Sequence, residues 1–155
     1  MDRIEAVRKI VDEIVLNMAD HEERRCAYLH LYGVSQACAL LALKRKEDVE
    51  LSVISGMLHD IYSYAHMDSQ DYAHKGAVIA RNILEPLSLF REEEISLICS
   101  AIHHHSDKSN VHGAVDEILK DADVIQHVLY NPLADINLHE QKRYCFLKKE
   151  LGLEK

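Results

Sequence analysis

VELSVISGMLHDI, residues 49–61, decides how the rest of the chain is read. Leu51, Val53, Ile54, Met57 and Leu58 leave the segment almost no polar face, so a helix over about Val49 to His59 is central and buried. Asp48 precedes it as a predicted N-cap, a carboxylate suited to the free N–H groups of a first turn. The helix ends on His59-Asp60. A terminal His is favoured by the helix dipole and an Asp by a turn, which is the ordinary explanation of the pair. Yet a buried carboxylate must be paired, hydrogen-bonded or bound to a cation.

Outward from this helix the chain reads as further helices. Ile4, Val7, Val11, Ile14, Val15 and Met18 recur at three and four residues, which predicts an amphipathic helix over 2–18. ADHEERR (19–25) reads as a charged link. A second helix follows from about Arg25 to Leu43, with Cys26, Leu29, Gly33, Ala37, Leu40 and Leu41 on or near its apolar face. Beyond the central helix, YSYAHMDSQD (62–71) reads as a loop. Asp71 is placed to cap a fourth helix that reaches about Leu84, where Pro86 prevents continuation. A fifth runs from about Arg91 to His104 behind the acidic REEE turn, and HSDKSNVHG (105–113) is a loop. A sixth spans about Val115 to Tyr130 and stops before Asn131-Pro132, and a more polar one covers 138–150. No segment alternates at period two. The expectation is an all-α fold, a single-domain helical bundle of about six to seven helices over residues 1–155.

Composition agrees. Five Gly and two Pro in 155 residues favour long helices, and 48% apolar residues suffice for a core. The formal net charge of −8 comes without a basic stripe, so a nucleic-acid polymer is not an expected partner. A phosphate substrate remains compatible, because a bound metal is the largest local charge in its site. Cys26, Cys38, Cys99 and Cys145 form no CxxC pair and read as reduced, mostly buried thiols. MDRIEAVRKI lacks the apolar run of a signal peptide, and no apolar run approaches the roughly 20 residues of a membrane span. A cytoplasmic protein without a membrane partner is expected. The sequence leaves a homo-oligomer open. The unusual count is eleven His.

Ionisable residues fall on apolar faces or at helix ends in four places. His30 lies four residues after Cys26 and four before Val34, so it points inward with them. His59-Asp60 ends the central helix. His105 continues the stripe of Ile98, Ala101 and Ile102 if the fifth helix gains a turn, with His104 slightly rotated and His103 towards solvent. In LKDADVI, Asp121 and Asp123 flank the face of Val115, Ile118, Leu119, Ala122, Ile125 and Leu129. Each lies roughly a quarter turn from its centre, and periodicity does not choose between them. Each placement has an everyday explanation taken alone. Together they put His, His-Asp, His and Asp on the inner edges of separate helices, which is how a helical bundle builds a metal site. Such ligands suit Mn, Fe, Co, Ni or Zn.

The order His30, then His59-Asp60, then an Asp of DAD resembles the HD-domain superfamily of metal-dependent phosphohydrolases over about residues 20 to 130. VISGMLHDI, HKGAVIARNIL, ICSAIHHHSDK and EILKDADVI each look like their counterparts there. The resemblance implies His30, His59, Asp60 and Asp123 as ligands of a first metal, Asp123 being preferred to Asp121 as the second Asp of the motif. Members with two metals imply His74 of HKGA and His105 or His104 of AIHHHS as further ligands, with Asp60 bridging. One or two divalent transition metal ions are therefore expected, with Asp60 as the catalytic residue. IYSY follows the HD pair where several relatives carry a catalytic Lys or Glu, and the GYP signature of cyclic-dinucleotide phosphodiesterases is missing, so no named substrate is implied.

The implied chemistry is hydrolysis of a phosphate ester or anhydride in a small phosphorylated substrate such as a nucleotide. Lys75, Arg81 and Lys108 lie near the ligands in sequence and could bind phosphate oxygens, but read better as solvated surface cations. Two rivals stand beside this: a non-catalytic metal- or nucleotide-binding signalling module, and a di-iron oxygenase on the same scaffold.

Overall fold

The computed structural model describes residues 2–153, and these form eight helices and no strand. In chain order they are α1 (Arg3–Leu16), α2 (His21–Arg45), α3 (Val49–Leu58), α4 (Ile61–His66), α5 (Tyr72–Leu87), α6 (Glu92–His104), α7 (Ala114–Tyr130) and α8 (Leu138–Leu151). The fold is all-α, as the sequence predicts.

The central segment behaves as its composition dictates. Every residue of α3 from Leu51 to Leu58 is buried, and the helix packs against α1, α2, α6 and α7. Asp48 caps it, its Oδ1 accepting from the Leu51 N–H at 2.9 Å. The α2–α3 contact is close because Gly56 has no side chain. A Cβ there would stand 2.7 Å from Ser35 Cα and 2.9 Å from Ser35 N. Ser35 Oγ donates to the Val53 carbonyl at 3.1 Å across the same contact.

Several boundaries depart from the sequence reading. The stretch 19–25 is the start of α2 rather than a link, because Asp20 Oδ1 accepts from Glu22 N at 2.8 Å and Glu23 N at 3.0 Å. The buried stripe of α2 is Ala27, Leu31, Val34, Cys38 and Leu41, whereas Leu29 and Leu40 are half exposed. The helix is apolar around much of its girth, so two stripes compete in the sequence and only packing selects one. By length and composition part of α2 could also cross a bilayer, contrary to the expectation of no such run. Its buried stripe is covered by α3 and α7.

Within the expected loop 62–71, Ile61–His66 form α4, where Ile61 is buried and Tyr64 packs on the core. Asp71 offers α5 no side-chain cap. It sits at φ 53° and pairs instead with His74 at 3.0 Å. Pro86 does not stop α5 short of Leu87. Near a helix end a proline removes little more than one backbone donor. At the far side α8 is fastened to α7 by Arg143, which donates to Glu117 at 2.8 Å and Asp121 at 2.9 Å.

Candidate metal centre

Four elements deliver side chains to one point. His30 comes from the middle of α2, His59 and Asp60 from the break between α3 and α4, His105 from the residue that ends α6, and Asp123 from the middle of α7. His30 Nε2 lies 3.0 Å from His59 Nε2, 3.3 Å from Asp60 Oδ2 and 3.5 Å from Asp123 Oδ1. His59 Nε2 is 3.5 Å from Asp60 Oδ2 and 3.9 Å from Asp123 Oδ1. His105 Nε2 is 3.2 Å from Asp60 Oδ1.

The opposite edge of each ring explains why these atoms suit a cation. His30 Nδ1 faces Gln126 Oε1 at 2.8 Å, His59 Nδ1 the Gly56 carbonyl at 2.8 Å, and His105 Nδ1 the Ile102 carbonyl at 2.6 Å. The carbonyls of Gly56 and Ile102 can only accept, so Nδ1 of His59 and of His105 carries the ring proton and donates it, and Gln126 with its oxygen towards His30 sets the same tautomer there. These partners assign the tautomers. Three bare Nε2 lone pairs then converge on two carboxylates. Asp60 Oδ1 and Asp123 Oδ1 are buried and receive no hydrogen bond. Unpaired lone pairs facing one another in a buried site are costly, and a metal ion resolves them together.

The electrostatics follow. Burial by itself would raise Asp60, but the imidazoles of His59, His105 and His30 hold it well below the usual carboxylate range. Burial likewise opposes ionisation of Asp123, and the Lys108 ammonium with the surrounding histidines lowers it nonetheless. His59, fully buried, is pushed down to about 4. His30 also loses from burial, yet Asp60 and Asp123 raise it overall. The two carboxylates thus favour positive charge at His30.

The neighbouring residues sort the remaining candidates. Asp121 turns away from the cluster to Arg45 at 2.7 Å and to Arg143, while Asp123 turns in. Of the two adjacent histidines, His105 is buried at the cluster. His104 binds Asp116 at 3.0 Å and stacks on His112. His74 is not brought to the cluster. It lies exposed, paired with Asp71 and stacked on His103. The cause is helical register: Ala73 and Gly76 occupy the buried face of α5, and Gly76 approaches the His59 carbonyl so closely that His74 is turned outward. Tyr72, at the start of α5, packs its ring against His105 instead.

Three participants escape the sequence reading. Lys108 is a buried cation, its Nζ 2.6 Å from Asp123 Oδ2 and donating to the His105 carbonyl at 2.8 Å. Lys75 and Arg81 do pair at the surface, with Asp68 and with Glu85 and Glu92. His127 stands one turn after Asp123, with Nε2 3.4 Å from Asp123 Oδ1 and Nδ1 2.8 Å from Glu140. Its ring stacks on His30. The i, i+4 spacing from Asp123 was available as a signal. Gln126, which orients His30, carried none.

Residues 27–127 match the family described as HD domain. The chain belongs to the HD-domain family. His30, His59-Asp60, His105 and Asp123 all fall inside the matched span. The fold is similar to the crystal structure of a predicted HD superfamily hydrolase from an uncultured Thermotogales bacterium. The TM-score is 0.62 at 21% identity, over 94% of this chain and 89% of the other. No curated protein matches.

Proposed function

We propose that the chain is a metal-dependent phosphohydrolase that acts on a small phosphorylated metabolite. The observation that carries the reading is the convergence of the Nε2 atoms of His30 and His59 on Asp60 Oδ2 and on Asp123 Oδ1, a buried oxygen without a hydrogen-bond partner. His30, His59, Asp60 and Asp123 would hold a divalent ion. When bound, such an ion supplies hydroxide near neutral pH and withdraws charge from a phosphoryl oxygen.

The chain's own groups would do the rest. Asp60 is the proposed catalytic residue, because its second oxygen remains available to accept a hydrogen bond from water and so to orient it. His105 borders that oxygen at 3.2 Å. His127 lines the adjoining cleft with Nδ1 held by buried Glu140, which favours the imidazolium, and in that form Nε2–H would donate to a phosphoryl oxygen. Lys108 holds Asp123 from behind and fixes which of its oxygens faces the cluster.

One ion is the count this ligand set supports. A second would need a partner for His105, and His74 faces away. That weighs against a di-iron oxygenase. The deciding experiment is metal analysis of the purified protein followed by phosphate release from a panel of phosphate esters and anhydrides. Bound metal at about one per chain with metal-dependent phosphate release is expected. Bound metal with no release from any compound would leave a non-catalytic binding module.

A further inference from the structure

Lys108 is carried by an irregular stretch, residues 105–113, between α6 and α7. The stretch fastens part of itself. Asp107 N donates to the His104 carbonyl at 2.9 Å and Lys108 N to the Ser106 carbonyl at 3.0 Å. Asp107 Oδ1 accepts from Ser109 N and Asn110 N, each at 3.3 Å. The carbonyls of Lys108 and Asn110 are satisfied from outside the stretch. Arg143 of α8 donates through Nε to the Lys108 carbonyl at 2.8 Å and through Nη2 to the Asn110 carbonyl at 3.2 Å. Buried Lys120 of α7 adds a bond to the Asn110 carbonyl at 2.9 Å.

The other side of the same guanidinium is anchored in α7. Arg143 Nη1 donates to Glu117 Oε2 at 2.8 Å and to Asp121 Oδ1 at 2.9 Å. One planar fork therefore joins α7, α8 and the main chain of Lys108. This bears on the metal centre in two ways. Where the Lys108 main chain sits decides whether its buried ammonium reaches Asp123 Oδ2, at 2.6 Å, and the His105 carbonyl, at 2.8 Å. Asp121, held by Arg143 and Arg45, is kept turned away while Asp123 turns in. Arg143 lies beyond residue 127, where the match to the HD domain ends, so this brace belongs to the part of the chain outside the match.

From these contacts we infer that Arg143 is a positioning residue of the metal centre. Through the Lys108 carbonyl it places the Lys108 ammonium against Asp123 Oδ2, so that Oδ1 stays turned towards His30 and His59. Metal affinity then depends on Arg143 although it touches no ligand. The inference rests on the metal-binding part of the proposed function and requires nothing of the phosphoryl chemistry.

Charge and geometry act with opposite signs here. A cation near the site repels a metal ion, so an Arg143 that acted by charge alone would weaken binding. An Arg143 that aims Asp123 strengthens it. Arg143→Lys holds the charge constant and removes the fork, because one ammonium on a flexible stem cannot serve two carbonyls and two carboxylates in fixed directions. The variant should fold, since Leu147 is still buried and the Arg45–Glu150 pair still ties α8 to α2.

The test is a titration of the metal-free protein with Co2+, followed by visible absorption, which reads both affinity and the arrangement of ligands around the ion. Arg143→Lys is expected to weaken Co2+ binding about tenfold, the lower end of the effect of groups behind metal ligands, and to shift the absorption bands. Arg3→Lys controls for a general loss of stability. Arg3 also bridges separate elements, donating to Glu50, Glu94 and the Leu89 carbonyl, and its variant is expected to keep the parent affinity and bands. In a Lys108→Met background Arg143→Lys is expected to cost no further affinity, because the group through which it acts is gone.

Parent-like affinity and bands in Arg143→Lys would overturn the inference. So would the same loss in Arg3→Lys, or an undiminished loss in the Lys108→Met background. A parent protein that takes up no Co2+ overturns the metal-binding reading itself and this inference with it, so the two failures are distinguishable.

Discussion

In the proposed function Asp60 would do two things at once, as a ligand through Oδ2 and an acceptor through Oδ1, and its replacement separates them from the fold. Asp60→Asn keeps the shape and removes the charge. Phosphate release should fall at least about 100-fold and metal affinity at least about tenfold, since even outer partners of metal ligands are worth that much. Circular dichroism should show the helices intact. His30 gives a pH prediction. Its pKa in the metal-free protein lies above the ordinary value of 6.5. The proton it gains therefore stabilises the metal-free fold below pH 6.5, and that contribution is lost as pH rises through the raised value. The same proton competes with the metal, so apparent affinity should climb as pH is raised from 6.5 through that higher value in a metal titration. An affinity that is flat over this range would remove His30 from the ligand set. At this scale the sequence was partly legible. The inward His30 and the buried His59 follow from helical spacing. Asp123 could not be told from Asp121 by spacing, because the two lie symmetrically about one stripe and only Arg45 and Arg143 draw Asp121 away. Lys108 looked like any loop lysine, since nothing local announces an ion pair with a residue 15 positions on.

At the scale of the element, the α2–α3 contact governs the site. His30 lies five residues before Ser35, and His59 lies three residues after Gly56. Gly56→Ala would force a Cβ against the Ser35 backbone at 2.7 Å, and backbone cannot swing aside. The variant should lose about 1–3 kcal/mol in denaturant unfolding, a usual cost of overpacking. It should also bind metal more weakly even though no ligand is touched, because the two helices that carry His30 and His59 must separate. Unchanged stability and metal content would show that the contact has slack. Helix existence was legible because apolar residues recur at three and four, but ends were not. The start of α2 depended on a cap at Asp20 within a run of charges, and α4 has only six residues in which to show a period. His74 was misplaced for an elemental reason too, since its segment is helical as expected but its register turns Gly76 inward.

Over the whole molecule the core carries the fold, and a bound ion would add to it. Leu41 is fully buried beside half-exposed Leu40. Leu41→Ala should cost roughly 2–5 kcal/mol, and Leu40→Ala less than about 0.5 kcal/mol. Paired thermal melts would check both, and equal costs would mean that the α2 stripe is rotated from the one described. Chelation should lower the melting temperature without abolishing the transition, because binding to the native state adds only its mass-action share. A chain that unfolds on chelation would place the ion among the supports of the fold. The rings of His59 and His105 are oriented by the main-chain carbonyls of Gly56 and Ile102, in the last turns of two core helices. Neither carbonyl would depend on an ion, so these two rings should keep their orientation whether or not one is bound. Metals can then be swapped on one folded batch by dialysis alone. The metal in a fresh preparation would then reflect both affinity and supply in the producing cell, and ranking the ions by turnover would require reloading rather than refolding.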